Sequence, residues 1–126
     1  MITRDEVLMG RDKQAPLTLE MEANLDKLLK ALNEFRAIWG KPMVVSSGYR
    51  PPEINAATPG SAKHSNHMIC LACDFRDLDG ALDDFCSNNT DVLERCGLYL
   101  EHPSSTPNWC HLQAISPRSG NRIFKP

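Results

Sequence analysis

The chain of 126 residues has no long apolar run and no excess of one charge sign. No stretch approaches the ~20 apolar residues that a membrane-spanning helix needs, which excludes such a helix. The net charge is −2, with acidic and basic residues interleaved, so the basic patch typical of nucleic-acid-binding proteins is missing. We therefore predict that neither a membrane nor a nucleic acid is a partner of this protein.

The first six residues also lack the basic-then-apolar layout of a secretory signal peptide, so we expect synthesis in the cytoplasm without a signal peptide. The five cysteines do not form the even-numbered framework of a secreted disulfide protein, and we expect free thiols. Length and a 41% apolar content are typical of one compact domain with a modest core. We expect a single, monomeric domain over residues 1–126.

Apolar residues at helical spacing predict one long helix over residues 18–39, with Thr18 as its N-cap and Gly40 at its end. Its expected buried face consists of Leu25, Leu28, Leu29, Leu32 and Phe35. Residues 1–16 are polar, and we expect them to form an irregular N-terminal arm that packs on the domain.

Short apolar runs predict the strands of a small sheet, at residues 43–47, 71–75, 98–101, 109–115 and 122–124. A polar loop at residues 102–108 should join two of them as an antiparallel pair. Shorter helices are expected at residues 77–87, with Leu78 on the apolar face, and at residues 91–95. The pattern predicts an α+β fold, a small and mainly antiparallel sheet with flanking helices.

Potential metal ligands are densest between residues 64 and 74, where the chain has two histidines, two cysteines and an aspartate. A catalytic zinc site needs three protein ligands and an open position for water. His67, Asp74 and the distant His111 can supply these ligands from two separate segments. The sequence therefore predicts a Zn²⁺ site between these segments.

Two charged residues are candidates for the chemistry around such a metal. Glu101 ends the strand expected to pair with the strand of His111, so its carboxylate could act as the general base. Arg50 follows a strand, and its guanidinium could clamp a substrate carboxylate through two hydrogen bonds.

The same residues permit other interpretations. Cys70 and Cys73, spaced as Cys-x-x-Cys, could hold a structural zinc together with His64 and His67, in a closed site without catalysis. The two cysteines could instead form a redox pair. Spacing alone leaves the catalytic and the structural zinc sites both open.

Four segments together resemble the zinc D-alanyl-D-alanine carboxypeptidases, a family that includes phage murein endopeptidases and has the hedgehog/DD-peptidase fold. Its pattern is S-G-Y-R, then S-x-H-x-x-G-x-A-x-D, then a tryptophan two residues before the last histidine. The matching segments are residues 46–50, 65–67, 72–74 and 109–111. The resemblance, which covers about residues 43–115, implies zinc ligation by His67, Asp74 and His111. It also implies that Arg50 anchors the substrate and that Ser65 supports the site.

The chain departs from the family pattern at two positions. Cys70 replaces the glycine of the H-x-x-G segment. Asn108 stands where many members carry the catalytic acid, three residues before the last histidine, and an amide cannot act as a base. Other relatives carry a glutamate further upstream, which matches Glu101. His102 is the reserve candidate for proton transfer.

The resemblance implies a zinc peptidase that cleaves a peptide bond in peptidoglycan stem peptides, either a carboxypeptidase or an endopeptidase. A chain of this kind without a signal peptide resembles a phage product that reaches the wall after release or on the virion. The alternative is a non-catalytic zinc domain of the same fold that binds a wall peptide or a virion protein. Asn108 favours the alternative, whereas Glu101 together with Arg50 favours the enzyme.

Overall fold

The structure is a computed structural model that describes residues 1–126. Its centre is one sheet with the spatial strand order β1-β2-β4-β3-β5. The strands are β1 (Val45–Ser47), β2 (Ala72–Arg76), β3 (Tyr99–Glu101), β4 (Trp109–Gln113) and β5 (Ile123–Phe124). Every neighbouring pair is antiparallel except β3 and β5, which run parallel. The predicted α+β fold with a mainly antiparallel sheet is confirmed.

Five α-helices and three 3₁₀-helices surround this sheet. The α-helices are α1 (Arg4–Leu8), α2 (Leu19–Trp39), α3 (Pro52–Ala57), α4 (Ala81–Asn88) and α5 (Thr90–Cys96). The 3₁₀-helices span Arg11–Lys13, Asn66–Ile69 and Pro103–Ser105. None of the helices combines the length and the apolar character that crossing a bilayer requires.

The long helix α2 matches its predicted range. The Thr18 hydroxyl accepts a hydrogen bond from the Met21 backbone N–H, and Gly40 ends the helix in the left-handed conformation, with φ +76°. Leu29 was predicted to be buried, and this is wrong, because it is only partly buried. Each residue turns an α-helix by about 100°, which moves Leu29 to the edge of the buried stripe that includes Leu28.

The N-terminal arm is not irregular as predicted. Thr3 and Glu6 form a reciprocal capping box that starts α1. Ile2, Val7 and Leu8 are buried in the main hydrophobic cluster of the molecule. Residues 1–16 therefore contribute a helix and buried side chains to the core.

The helix predicted from residue 77 begins at Ala81. The Asp77 carboxylate accepts hydrogen bonds from the backbone N–H groups of Leu82 and Asp83, both at 2.9 Å, so Asp77 lies before the helix and caps it. Leu78 was expected on the apolar face, and this is wrong, because 62% of it is exposed in the connecting turn.

Leu28→Ala should lower the free energy of unfolding by about 2–5 kcal/mol, because Leu28 is fully buried in the α2 face. Leu29→Ala removes the same atoms from a partly exposed position and should cost clearly less. Urea denaturation of both variants measures the difference. Equal losses in the two variants would contradict the observed orientation of α2.

Asp83 on α4 should make stability depend on pH. Its Oδ1 is buried without a hydrogen-bond partner, and burial raises the pKa of Asp83 from 3.8 to about 6. The folded state then binds this proton more tightly than the unfolded state, so the contribution to stability is complete below about pH 4 and is lost as the pH rises through about 6.

Asp83→Asn removes this titration and should therefore gain stability relative to wild type as the pH rises from 4 to 7. Urea denaturation at the two pH values tests this prediction. A stability difference between variant and wild type that is the same at both pH values would contradict it.

Candidate active site

A mainly polar cleft of about 530 Å³ opens beside β2 and β4. The six residues predicted to bind the metal, transfer a proton, bind the substrate or support the site all line it: Arg50, Ser65, His67, Asp74, Glu101 and His111. The long sequence separations between them are closed by the sheet, since β2, β4 and β3 are direct neighbours. The structure thus brings the predicted site residues into one place.

The pairing of β2 with β4 sets the centre of the cleft. Asp74 lies directly opposite His111 in the antiparallel ladder, where facing side chains are about 5 Å apart at Cβ. His67 reaches the same point from the 3₁₀-helix Asn66–Ile69. One ligand atom from each of His67, Asp74 and His111 lies within 4.8 Å of the other two.

Local hydrogen bonds hold His67 in one orientation. The Ser65 hydroxyl accepts from the His67 backbone N–H at 3.1 Å and caps the 3₁₀-helix. His67 Nδ1 donates to the Gly48 carbonyl at 2.9 Å, so its Nε2 carries the lone pair. This Nε2 is buried, has no hydrogen-bond partner and lies 3.3 Å from Asp74 Oδ1.

His111 approaches the same carboxylate with its Nδ1, whereas His67 approaches it with its Nε2. Its Nδ1 lies 2.8 Å from Asp74 Oδ1, and its Nε2 lies 2.8 Å from Gln113 Oε1. Two imidazoles therefore meet one carboxylate oxygen, through Nε2 of His67 and Nδ1 of His111.

The electrostatics of this trio match a cation site. Burial alone would raise the pKa of Asp74, but the hydrogen bond with His111 and the close approach of the His67 imidazole hold it well below its usual range. Burial lowers the pKa of His67, which keeps it neutral. Burial also disfavours the charged form of His111, but its hydrogen bond with Asp74 and the charge there raise its pKa overall.

A single proton can satisfy only one of the contacts to the Asp74 oxygen, and the buried His67 Nε2 is left facing an oxygen lone pair. A metal ion satisfies all three atoms at once. Imidazole nitrogens and a carboxylate oxygen are donors that zinc accepts in catalytic sites. The His-Asp-His cluster could therefore bind a metal ion.

Glu101 and Arg50 flank the trio. Glu101 Oε1 lies 3.8 Å from His111 Nδ1, and burial raises the pKa of this glutamate. The Arg50 guanidinium is largely buried and makes no salt bridge, and its Nη2 donates a long hydrogen bond of 3.4 Å to the Ser65 hydroxyl. The Arg50 Nε is buried without a partner. The cleft thus has one carboxylate beside the candidate ligands and one guanidinium that forms no salt bridge.

Asn108 and the reserve candidate His102 lie outside this cleft. Asn108 is exposed in the turn before β4 and does not line the cleft. The His102 ring bonds to Ser104 and also lies outside the cleft lining. Of the two acid or base candidates near residue 101, only Glu101 reaches the trio.

The two cysteines are absent from the metal-ligand cluster. The trio is the only group of three or more histidine, cysteine or acidic residues close enough to share an ion. Cys70 and Cys73 are free and buried, and burial raises the pKa of both thiols. Cys70 adopts φ +62°, the left-handed conformation that glycine favours. Cys70 therefore holds a backbone conformation that a glycine at this position would adopt more easily.

Sequence reasoning missed two residues that orient the histidines, Gly48 and Gln113. The Gly48 contact uses a backbone carbonyl, which residue type does not reveal. Gln113 had a usable signal, because it follows His111 by two positions on a strand and so shares its face.

Comparison with protein-family models gives a match over residues 2–106, to the family described as Peptidase M15. Searches of curated proteins and of solved structures give no match. The matched range covers most of the chain and includes Arg50, His67, Asp74 and Glu101, and it ends before His111. Peptidases of this family depend on zinc, in agreement with a His-Asp-His cluster that could bind a metal. The chain belongs to the Peptidase M15 family, and this membership supports a zinc peptidase activity.

Proposed function

We propose that this protein is a zinc metallopeptidase that hydrolyses a peptide bond in peptidoglycan stem peptides. The observation that carries the proposal is the convergence of two imidazole nitrogens on one buried Asp74 oxygen. His67 Nε2, Asp74 and His111 Nδ1 would hold the ion. When bound, zinc supplies Lewis-acid polarisation of the scissile carbonyl and a water molecule that ionises near neutral pH.

Glu101 is the proton-transfer residue in this proposal. Its carboxylate lies beside the ligand trio, where it accepts the proton of the attacking water and returns it to the leaving amine. Burial raises its pKa, which moves a carboxylate towards the range suited to both steps.

Arg50 binds a carboxylate of the substrate. Its guanidinium is buried at the cleft wall without a salt bridge and with its Nε unpaired, so an incoming carboxylate would supply the missing hydrogen bonds. Ser65 holds both the Arg50 side chain and the His67 backbone through its hydroxyl. Ser65 therefore links substrate binding to ligand placement.

The biological setting is part of the proposal. A phage-encoded, monomeric enzyme, with residues 1–126 as one domain, would be made in the cytoplasm and reach the wall after release or on the virion. The bond attacked is D-Ala-D-Ala in a carboxypeptidase or L-Ala-D-Glu in an endopeptidase. Each of these statements stays a prediction.

Digestion of purified peptidoglycan by the zinc-loaded protein, followed by mass spectrometry, tests the function. Release of D-alanine identifies a carboxypeptidase, whereas new stem-peptide fragments identify an endopeptidase. A sample depleted of metal with a chelator serves as the control. Binding to peptidoglycan without any released product would favour the non-catalytic zinc domain.

Glu101→Gln should keep zinc affinity and lower kcat roughly 10²–10⁴-fold, because an amide cannot accept the proton of water. Asn108→Gly is a control, since Asn108 lies outside the cleft and glycine tolerates its left-handed φ of +74°, and it should leave kcat unchanged. His102→Ala should have a mild effect for the same reason. Full activity of Glu101→Gln combined with an inactive His102→Ala would assign proton transfer to His102 instead.

Arg50→Ala should keep zinc bound and raise KM roughly 10–100-fold for peptides that carry the recognised carboxylate, because hydrogen bonds between charged groups are lost. Arg50→Lys keeps the charge without the planar fork and should restore part of the affinity. Wild type should lose a similar amount when the substrate carboxylate is converted to an amide, and Arg50→Ala should then lose little more. Additive losses from the two changes would show that Arg50 does not contact this carboxylate.

A further inference from the structure

Gln113 contacts His111 at the ring nitrogen that faces away from Asp74. It is almost fully buried, at 3% exposure, and shares a face of β4 with His111. Its Oε1 lies 2.8 Å from His111 Nε2, and its amide nitrogen donates to the Ile115 carbonyl at 2.9 Å.

The Ile115 contact decides which way the amide of Gln113 points. A backbone carbonyl can only accept a hydrogen bond, so the NH₂ group of Gln113 must face it. Oε1 then faces His111, and because this oxygen is an acceptor, His111 Nε2 must carry a hydrogen. In a neutral imidazole the lone pair is then on Nδ1, the atom 2.8 Å from Asp74 Oδ1.

We propose that Gln113 is a positioning residue that holds His111 in the Nε2-protonated tautomer, so that Nδ1 is free to bind the metal. This inference rests on the zinc site of the proposed function. Without Gln113, the neutral His111 ring could carry its hydrogen on Nδ1. That hydrogen would point at Asp74 and prevent Nδ1 from binding a metal.

The two histidines are thus fixed in opposite tautomers by different acceptors. The Gly48 carbonyl accepts from His67 Nδ1 and leaves Nε2 free, whereas Gln113 accepts from His111 Nε2 and leaves Nδ1 free. Hydrogen bonds behind metal-bound histidines typically affect metal affinity or activity 10–100-fold. A comparable effect is expected here.

Gln113→Met tests the proposal, because methionine fills nearly the same volume without an acceptor oxygen. Its dissociation constant for zinc, from competition with a chelator, should rise about 10–100-fold. Gln113→Glu retains an oxygen towards His111 but loses the donor to the Ile115 carbonyl, and it should lose less zinc affinity than Gln113→Met. The thermal midpoint of each metal-free variant shows separately how far the change perturbs the fold.

Nitrogen-15 NMR of the zinc-loaded wild type gives a readout that a packing role would not produce. The spectrum should show His111 bound through Nδ1 and protonated at Nε2. Zinc binding through Nε2, or an unchanged zinc affinity in Gln113→Met, would overturn the proposal. Equal affinity losses in the Met and Glu variants would also overturn it and assign Gln113 a packing role.

None of these readouts depends on turnover. Zinc bound as expected in a protein that releases nothing from peptidoglycan would defeat the proposed function while the role of Gln113 stands. An active zinc peptidase that binds its metal through His111 Nε2 would overturn the role of Gln113, while the proposed function would stand.

Discussion

The antiparallel register between β2 and β4 is the constraint on which the site depends. It places Asp74 directly opposite His111 and continues through Cys73 and Leu112, which are both fully buried. A slip by one residue would turn the carboxylate to the other face of the sheet and expose the buried side chains. The burial that stabilises the sheet therefore also sets the separation of two of the three candidate ligands.

The third candidate ligand depends on the N-terminal segment. The Val7 carbonyl accepts from the Tyr49 N–H at 2.8 Å. The neighbouring Gly48 lies so close that a Cβ there would be 2.0 Å from the Val7 oxygen. Gly48 in turn offers its carbonyl to His67. α1 therefore supports the loop that orients His67, so core packing at the N-terminus is connected to the geometry of the candidate metal site.

The sequence could predict features that follow from periodicity and residue chemistry. The helix α2 and the strands were recognisable from apolar spacing, but the exposure of Leu78 was not. The Asp77 carboxylate accepts hydrogen bonds from Leu82 and Asp83, so α4 starts only after Leu78, which is left in the preceding turn. The capping box of Thr3 and Glu6 was a readable signal for α1 that the polar composition concealed. At the site, residue types indicated the ligand trio, whereas the orienting Gly48 carbonyl required the fold.

Anomalous diffraction at the zinc absorption edge, from crystals grown with one equivalent of zinc, tests the central claim most directly. The account predicts one peak per chain, within coordination distance of His67 Nε2, an Asp74 oxygen and His111 Nδ1, with Cys70 and Cys73 remote from it. A peak bonded to either cysteine sulfur, or no peak at the trio, would contradict the account.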